Sequence, residues 1–390
     1  MGLAWDTANP AAMTVRQITQ HLDSWAPPAD KADYDNVGLQ VGDPDAEAAS
    51  VLVALDLTDA VVDEARRIGA DLIVTHHPLL FRPLKALTPE SASGRLALRL
   101  ARAGIAYYAS HTNLDAQHGG VSFALAEQLG VGGLEILAPA EHDLVKLVTF
   151  VPERMAERVR KALAEAGAGQ VGAYSGCAFV SDGTGHFTPG PDADPAVGTA
   201  GGPEEAVAEK RVEVAVNRSR LPVALRALKA AHPYETPAFD VYALETEGTQ
   251  VGFGAVGDLD ETLPMPEFLT RVAERLHAGA LRWAGDESRF VRRVAVCGGS
   301  GSSLIGAARR AGADAFVTAD LTYHQYFDAA EGRPMALVDA GHYETERVTE
   351  QLLADRLRSA FPELDVTRTA RWTGPMRTFM GATGPVPREA

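Results

Sequence analysis

The sequence predicts an α/β fold in which a discontinuous α/β domain is interrupted by an inserted ferredoxin-like α+β module. Strand-like runs alternate with helical patterns near both ends of the chain, which is typical of sheets covered by helices. The pattern changes between residues 142 and 249, and a chain of 390 residues is longer than one hydrophobic core usually serves. We therefore expect one domain from 13–141 and 250–385, an inserted module at 142–249, and a loose leader at 1–12.

The first segment alternates amphipathic patterns with apolar, β-rich runs. A helix is expected at "TVRQITQHLDSWAP", followed in order by "VLVALDLT", "DAVVDEARRIG", "DLIVTHH", "SGRLALRLARAG", "IAYYASHTNLD" and "GGVSFALAEQLG". The alternation resumes after residue 250, with strand-to-helix units that begin at "RRVAVCGG", "DAFVTAD" and "MALVDAGH". The simplest arrangement is one α/β domain with an insert.

The insert has its own pattern. A strand is predicted at "HDLVKLVTFVP", a helix at "ERMAERVRKALAEAG", a strand and helix within "KRVEVAVNRSRLPVALRALKAAHP", and a last strand at "FDVYALE". Residues 181–205 are rich in Gly, Pro and Asp, which predicts an exposed loop. We assign this segment to the order β-α-β-β-α-β of a ferredoxin-like module, in which one of the two central strands is not located by the pattern.

Charge and composition exclude several classes of protein. The 36 basic and 52 acidic side chains give a net charge of −16, which argues against nonspecific nucleic-acid binding. No apolar run approaches the roughly 18 residues of a membrane span, and the N-terminus has no secretory signal pattern. With Cys177 and Cys297 as the only cysteines, a disulfide framework is not expected and a cytoplasmic location is.

Side chains that can bind metals follow four predicted strands of the outer domain. They form four pairs: His76 with His77, His111 with Asp115, Asp320 with His324, and His342 with Glu346. Functional sites of α/β sheets are commonly built from loops and first helical turns beyond strand ends. Each pair alone has an ordinary explanation, such as a core histidine, a hydrogen-bonded turn or a surface helix contact. Four pairs in equivalent positions favour a metal site.

The spacing of His342 and Glu346 adds information, because residues four apart on a helix share a face. Imidazole and carboxylate ligands suit zinc, iron or manganese. Five candidate ligands exceed the four of a typical structural zinc site. Two ions that share a bridging carboxylate, for which Asp115 is favoured, would use them all, and such sites can hydrolyse substrates by lowering the pKa of bound water. The five are His76, His77, Asp115, His342 and Glu346.

Several motifs together resemble the dinuclear-metal family of GTP cyclohydrolase 1 type 2 homologues, also called NGG-interacting-factor-like proteins. They are "DYDNVGLQVGDP", "THHPLLFRPLKAL", "HTNLDAQHGGVSFALAEQLG", "ADAFVTADLTYHQ" and "DAGHYETE". The resemblance implies two divalent ions on the same five residues, and a homohexamer. The insert resembles the ferredoxin-like divalent-cation-tolerance proteins. One departure is Ala319, where the family commonly has glycine.

Two further motifs each allow two interpretations. The segment "CGGSGSS" (297–303) could cradle a phosphate on its backbone amides, but a tight strand-to-helix turn is favoured. The segment "HPYETP" offers His232 and Glu235 as ligands, but a rigid loop bounded by prolines is favoured.

Two functions remain open from the sequence. The first is a two-metal hydrolase that acts on a nucleotide-like or phosphorylated small molecule, although no motif specifies a guanine pocket. The second is a non-catalytic metal-binding scaffold with a regulatory or metal-handling role. A hydrolase needs groups that transfer protons, and histidine does this near neutral pH. We expect His324 or His111 in that role and favour His324, because His111 shares its loop with ligand Asp115.

Overall fold

The computed structural model describes residues 13–140, 143–172, 174–246, 248 and 250–377. The chain divides by its contacts into two units, Met1–Ala138 with Phe253–Ala390 (unit 1) and Pro139–Gly252 (unit 2). The expected leader at 1–12 lies outside the described residues, as does the end of the outer domain beyond residue 377. None of the helices in the described part of the chain combines the length and apolar character that a bilayer span requires.

The first sheet of unit 1 has five strands, β1 (Gly38–Val41), β2 (Ser50–Ala54), β3 (Leu72–Thr75), β4 (Ala106–Ala109) and β15 (Asp365–Arg368). Their order in the sheet is β1–β4–β3–β2–β15, and only β1 runs antiparallel to its neighbour. Every residue of β3 and β4 is buried. Parallel strands covered on both faces require such continuous apolar runs, which explains why the sequence pattern here is apolar without alternation.

The second sheet of unit 1 has six strands: β5 (Val131–Pro139), β10 (Gly252–Pro264), β11 (Arg282–Ala284), β12 (Phe290–Ser300), β13 (Ala315–Ala319) and β14 (Ala336–Asp339). Their order is β11–β14–β13–β12–β10–β5. The central strands β12, β13 and β14 are parallel, whereas β11 and β10 pair antiparallel with them. The outer domain therefore contains two sheets, and each has a parallel centre.

Helices cover these sheets: α1 (Val15–Trp25), α2 (Asp59–Ile68), α3 (Ala92–Ala103), α4 (Thr112–Asp115), α5 (Val121–Leu129), α8 (Met265–Leu276), α9 (Ile305–Arg310), α10 (His342–Glu346) and α11 (Val348–Ala360). Helix α1 shows how the sequence specifies them. Thr14 and Gln17 form a reciprocal capping box at its start, and Ile18 and Leu22 are fully buried one turn apart.

Unit 2 consists of β6 (Leu144–Pro152), α6 (Ala156–Glu165), β7 (Phe179–Phe187), β8 (Glu205–Asn217), α7 (Leu221–Ala231) and β9 (Phe239–Ala243). The strands form an antiparallel sheet in the order β7–β8–β6–β9. The exposed loop expected at 181–205 is shorter than predicted, because β7 and β8 pair from Phe179 opposite Glu213 to Phe187 opposite Glu205. Ladder hydrogen bonds override the low strand propensity of Gly and Asp here, and 188–204 remain as the loop.

Candidate metal centre

Two histidines follow the end of β3. His76 is fully buried, and the side chain of His77 is 24% exposed. The Thr75 hydroxyl donates a hydrogen bond to the His77 carbonyl at 2.8 Å, and the Tyr107 hydroxyl donates to the same oxygen at 2.8 Å. These bonds fix the backbone beyond the strand, so both rings are held at one end of the sheet.

Two short helices bring the remaining candidate ligands. Helix α4 follows β4 and ends at Asp115, while α10 follows β14 and begins at His342. His342 and Glu346 lie one turn apart on α10, and their side chains are in contact, with His342 Nε2 3.0 Å from Glu346 Oε2. Thr345 anchors this helix, because its hydroxyl accepts a hydrogen bond from the Gly299 amide at 3.0 Å.

The five residues predicted as ligands converge around Glu346. One carboxylate oxygen of Glu346 lies 2.9 Å from His77 Nε2, and the other lies 3.7 Å from His76 Nε2. Asp115 Oδ1 is 3.6 Å from that same nitrogen of His76. The Nε2 atoms of His77 and His342 are 3.4 Å apart. Glu346 therefore contacts three imidazoles.

Each of the three imidazoles is also held from behind through its Nδ1 atom. The partners are the Ser110 carbonyl for His76 at 2.8 Å, Asp56 for His77 at 2.7 Å and Asp320 for His342 at 2.7 Å. An Nδ1–H that donates outward leaves the Nε2 lone pair directed into the cluster, which is how proteins orient metal-binding histidines. His76 Nε2 is buried and makes no hydrogen bond with any described residue.

The carboxyl groups around the imidazoles favour positive charge in the cluster. Burial lowers the pKa of His77, but the bonds to Asp56 and Glu346 outweigh it and raise the pKa to about 10. Burial also opposes protonation of His342, yet Glu346 and Asp320 raise its pKa to about 9. Without another cation, protons supply the missing charge. A divalent ion can replace them, so the donor set fits a metal.

His111 lies with the potential ligands. Its ring centroid is 5.1 Å from that of His76 and 5.4 Å from that of His77, and ligand atoms of these three residues lie within 4.8 Å of one another. Its Nδ1 is 2.9 Å from Asp35 Oδ2. Burial raises the pKa of Asp35, but the contacts with His111 and Thr112 outweigh it and hold that pKa well below its usual range.

His324 is not brought into this cluster by the contacts of the described residues. Its side chain is exposed, and its ring lies 5.3 Å from that of Tyr323 and 6.5 Å from that of Phe327. The neighbouring Asp320 does reach the centre through His342, and it adopts a left-handed backbone conformation with φ of 57°. Strained residues of this kind concentrate at functional sites.

Two glycines of "CGGSGSS", Gly298 and Gly299, leave space for the Glu346 side chain. Gly299 has φ of +60°, and a Cβ at this position would lie 2.1 Å from Glu346 Oε1. The segment forms the end of β12 and a 3-10 turn at Ser302–Leu304 before α9. Because α9 has only six residues, a phosphate cradle is not supported, and the glycines serve close packing against a candidate ligand.

Several supporting residues were missed by sequence reasoning. Asp56 carried a usable signal, since it directly follows the apolar run "VLVAL" at a strand end. Asp35 and Gly299 lie in motifs that the sequence analysis singled out, but their roles were not predicted. Those roles depend on contacts with Thr112 and Glu346, which are 77 and 47 positions further along the chain. Ser110 acts through its carbonyl, which no side-chain pattern can predict.

A cavity of about 290 Å³ opens beside the cluster, and His77, His342, Asp56 and Asp320 line it together with the aromatic ring of Trp372. The Trp372 ring lies 4.2 Å from that of Tyr343. The next residue, Thr373, donates a hydrogen bond from its hydroxyl to Asp56 Oδ2 at 2.9 Å. The C-terminal segment thus contributes both a wall of the cavity and support for His77.

The fold and the site define a mixed α/β protein with clusters of His and Glu that could hold metal ions. The model of the Duf34/NIF3 (NGG1p interacting factor 3) family matches residues 13–373. The chain belongs to this family, which confirms the resemblance inferred from its motifs.

Relatives of similar length support this membership. The chain is 39% identical over 345 residues to a GTP cyclohydrolase 1 type 2 homolog of Bacillus subtilis, covering 88% of this chain and 92% of the relative. It is 42% identical over 356 residues to one of Mycobacterium tuberculosis, with 90% and 93% covered. A crystal structure of a Bacillus cereus protein related to NIF3 matches with a TM-score of 0.81 and 38% identity, covering 94% of this chain and all of that one.

Proposed function

We propose that this protein binds two divalent metal ions in the centre around Glu346 and hydrolyses a nucleotide-like or phosphorylated small molecule there. The observation that carries the proposal is the contact of one buried carboxylate with three imidazoles, each of which is oriented by a hydrogen bond through its Nδ1 atom. Maintaining the buried polar side chains of His76 and Glu346 beside two half-buried imidazoles is costly for folding alone, and a bound cation would offset that cost.

The proposed ligands are His76, His77, Asp115, His342 and Glu346. Zinc is the first metal to test, followed by iron and manganese, since imidazole and carboxylate ligands suit all three. A divalent ion at such a site acts as a Lewis acid and lowers the pKa of a water molecule that it binds. Asp115 is a proposed bridge, and the contacts of Glu346 with histidines on both of its oxygens support Glu346 equally.

Other side chains of the site would orient groups and move protons. Asp56 and Asp320 hold two imidazoles in place. His111, with one nitrogen beside Asp35, is positioned to exchange a proton at its other nitrogen. His324 remains a proposal for the same role, but the contacts of its ring are with the aromatic rings of Tyr323 and Phe327. The contacts therefore support His111 over His324.

The proposed substrate class rests on the cavity beside the cluster. The exposed face of Trp372 offers a surface on which a flat ring can stack, and stacking on aromatic side chains accepts any base. Phosphate groups would be attracted by two divalent ions. The names of the relatives refer to GTP cyclohydrolase, and we propose a guanine nucleotide as the first substrate to test.

We further propose that 142–249 form a ferredoxin-like module inserted into a domain of 13–141 and 250–385. The strand order in unit 2, with two helices packed on an antiparallel sheet, supports this. A homohexamer and a cytoplasmic location are proposed on the family resemblance and on the cysteine content, respectively.

Elemental analysis and turnover measured on the same preparations test the function. We expect about two transition-metal ions per chain, and release of a hydrolysed product from GTP or a phosphomonoester. His111→Gln should lower turnover and His324→Gln should change it little. Absence of transition metal would contradict the proposal as a whole. Two bound ions with no turnover on any nucleotide or phosphoester would instead favour a non-catalytic metal-binding scaffold.

A further inference from the structure

Unit 2 contains a cavity of its own, with a volume of about 630 Å³. It lies among β7, β8, the loop 188–204 and the "HPYETP" segment (232–237), a motif to which the proposed hydrolase assigns no role. Pockets for small organic ligands have volumes of this size, combining apolar walls with a few polar groups.

One part of the lining is aromatic. Phe150, Phe187 and Tyr234 all line the cavity, and the rings of Phe187 and Tyr234 are 5.9 Å apart. The ring centroids of His232 and Tyr234 are 5.0 Å apart. His232 also fixes the loop, because its Nδ1 accepts a hydrogen bond from the Tyr234 amide at 3.1 Å. The aromatic wall is therefore held in position by the motif itself.

A buried carboxyl group provides a polar part of the lining, next to the aromatic wall. Glu209 is 8% exposed and accepts a hydrogen bond from the Tyr234 hydroxyl at 2.8 Å through Oε1. Its other oxygen lies so close to Gly185 that a Cβ there would be 2.3 Å away. Only glycine at this strand position leaves room for the carboxyl group in the cavity wall. Glu235 accepts from the Asp194 amide at 3.2 Å and ties the 188–204 loop to the motif.

The charges of the residues that line the cavity indicate the charge of the ligand it favours. Four acidic residues line the cavity, together with the single guanidinium of Arg211 and the exposed His186; the acids are Asp182, Asp194, Glu209 and Glu235. Arg211 lies over the Phe150 ring and is ion-paired with Glu213, which is not part of the lining. Asp182 is paired with Lys210, which is outside the lining. Glu209 in the buried wall and Asp194 and Glu235 at the exposed rim therefore leave an excess of negative charge beside aromatic faces, and both features attract organic cations.

We propose that this cavity binds a small organic amine, with its apolar or aromatic body against Phe150, Phe187 and Tyr234 and its ammonium group donating to Glu209 and Glu235. Hydrogen bonds to a charged partner are stronger than neutral ones, so the carboxyl groups fix the orientation. The site is independent of the metal centre and of any hydrolysis there.

Three probes that share one aromatic body test the charge requirement on the full chain. They are 2-phenylethylamine, 2-phenylethanol and phenylacetate, and their dissociation constants can be measured by ligand-observed saturation-transfer NMR. The amine should bind about 10-fold more tightly than the alcohol, since a charged hydrogen bond adds to burial of the ring, and phenylacetate should not bind. Equal binding of all three probes would overturn the proposal.

Matched variants locate the site. Glu209→Gln should weaken binding of the amine about 10-fold, while Glu165→Gln, the same change at an exposed position of α6 outside the lining, should not alter it. Glu235→Gln, at the exposed rim, should weaken binding several-fold and decides the matter if Glu209→Gln fails to fold. Unchanged affinity in the folded Glu235→Gln and Glu209→Gln proteins would place the amine elsewhere and contradict the proposal.

Discussion

The candidate metal centre of unit 1 and the cavity of unit 2 are built in opposite ways. At the candidate centre, polar side chains follow strand ends, and each of the three imidazoles around Glu346 is held by an outward hydrogen bond through Nδ1, as in the His77–Asp56 pair. In unit 2 the polar groups lie on strands and loops, and the Glu209 carboxyl group depends on the missing side chain of Gly185 for its space. The chemistry of the first site follows from the types of residue at the strand ends. The position of the carboxyl group in the second site follows from the packing around it.

This difference determines the expected sensitivity of each site. A centre in which every imidazole has two partners tolerates little change, because removing one partner leaves a buried polar group without compensation. The cavity binds through shape and net charge, so single changes there should have graded effects.

The largest expected effect follows from Glu346→Gln. This change removes the carboxylate that contacts three histidines, and we expect the affinity for divalent metal to fall more than about 100-fold, beyond the loss from supporting residues. Competition titrations with a coloured chelator measure it. Glu344→Gln on the same helix is the matched control and should keep its metal. The affinity of unit 2 for 2-phenylethylamine should stay the same in both, and a change would show that the two sites are coupled.

Gly299→Ala tests the steric side of the centre. The new methyl group would require Glu346 Oε1 to move, and the φ of +60° adds strain. We expect metal affinity to fall about 100-fold, with a smaller loss of thermal stability. Gly279→Ala has open space around its Cβ and serves as the control. Normal metal binding by Gly299→Ala would mean that the centre is less tightly packed than the contacts indicate.

A smaller effect is expected from Asp56→Asn, which weakens the acceptor for His77 Nδ1 and for the Thr373 hydroxyl. Metal affinity should fall about 10-fold, the lower range for residues that orient a metal ligand. Asp59→Asn, half exposed and ion-paired with arginines on the surface, should leave metal affinity unchanged. If both variants behave alike, the support of His77 contributes little.

The smallest effect concerns pH and the stability of unit 2. Burial lowers the pKa of His232 below its usual 6.5, so the folded state takes up a proton less readily than the unfolded chain. Stability should therefore decrease as the pH falls below about 6.5, and the loss should end below the folded pKa. Thermal unfolding between pH 7.5 and 5 measures it. His232→Gln should remove this part of the pH dependence, whereas exposed His186→Gln should preserve it.

The sequence predicted the α/β class and the cluster of His and Glu, because both follow from local patterns. Buried parallel strands such as β3 require apolar runs, and these runs are visible in the sequence. Histidine and carboxylate residues at the strand ends indicate metal-binding chemistry. It did not predict that the outer domain holds two sheets, since strand neighbours depend on long-range pairing. Strand β7 was hidden because ladder hydrogen bonds, rather than its Gly- and Asp-containing sequence, stabilise it.

The separation of the ligands along the chain has a consequence for biosynthesis. His77 and His342 are 265 positions apart, on opposite sides of the insert. At the usual translation rates of about 5–20 residues per second, His342 is synthesised roughly 13–53 s after His77. During that interval the nascent chain has its first histidines but no Glu346. Stable metal capture at the proposed centre would therefore wait until nearly the whole chain has been made, and a protein truncated within unit 2 would leave the ribosome without the candidate ligands His342 and Glu346.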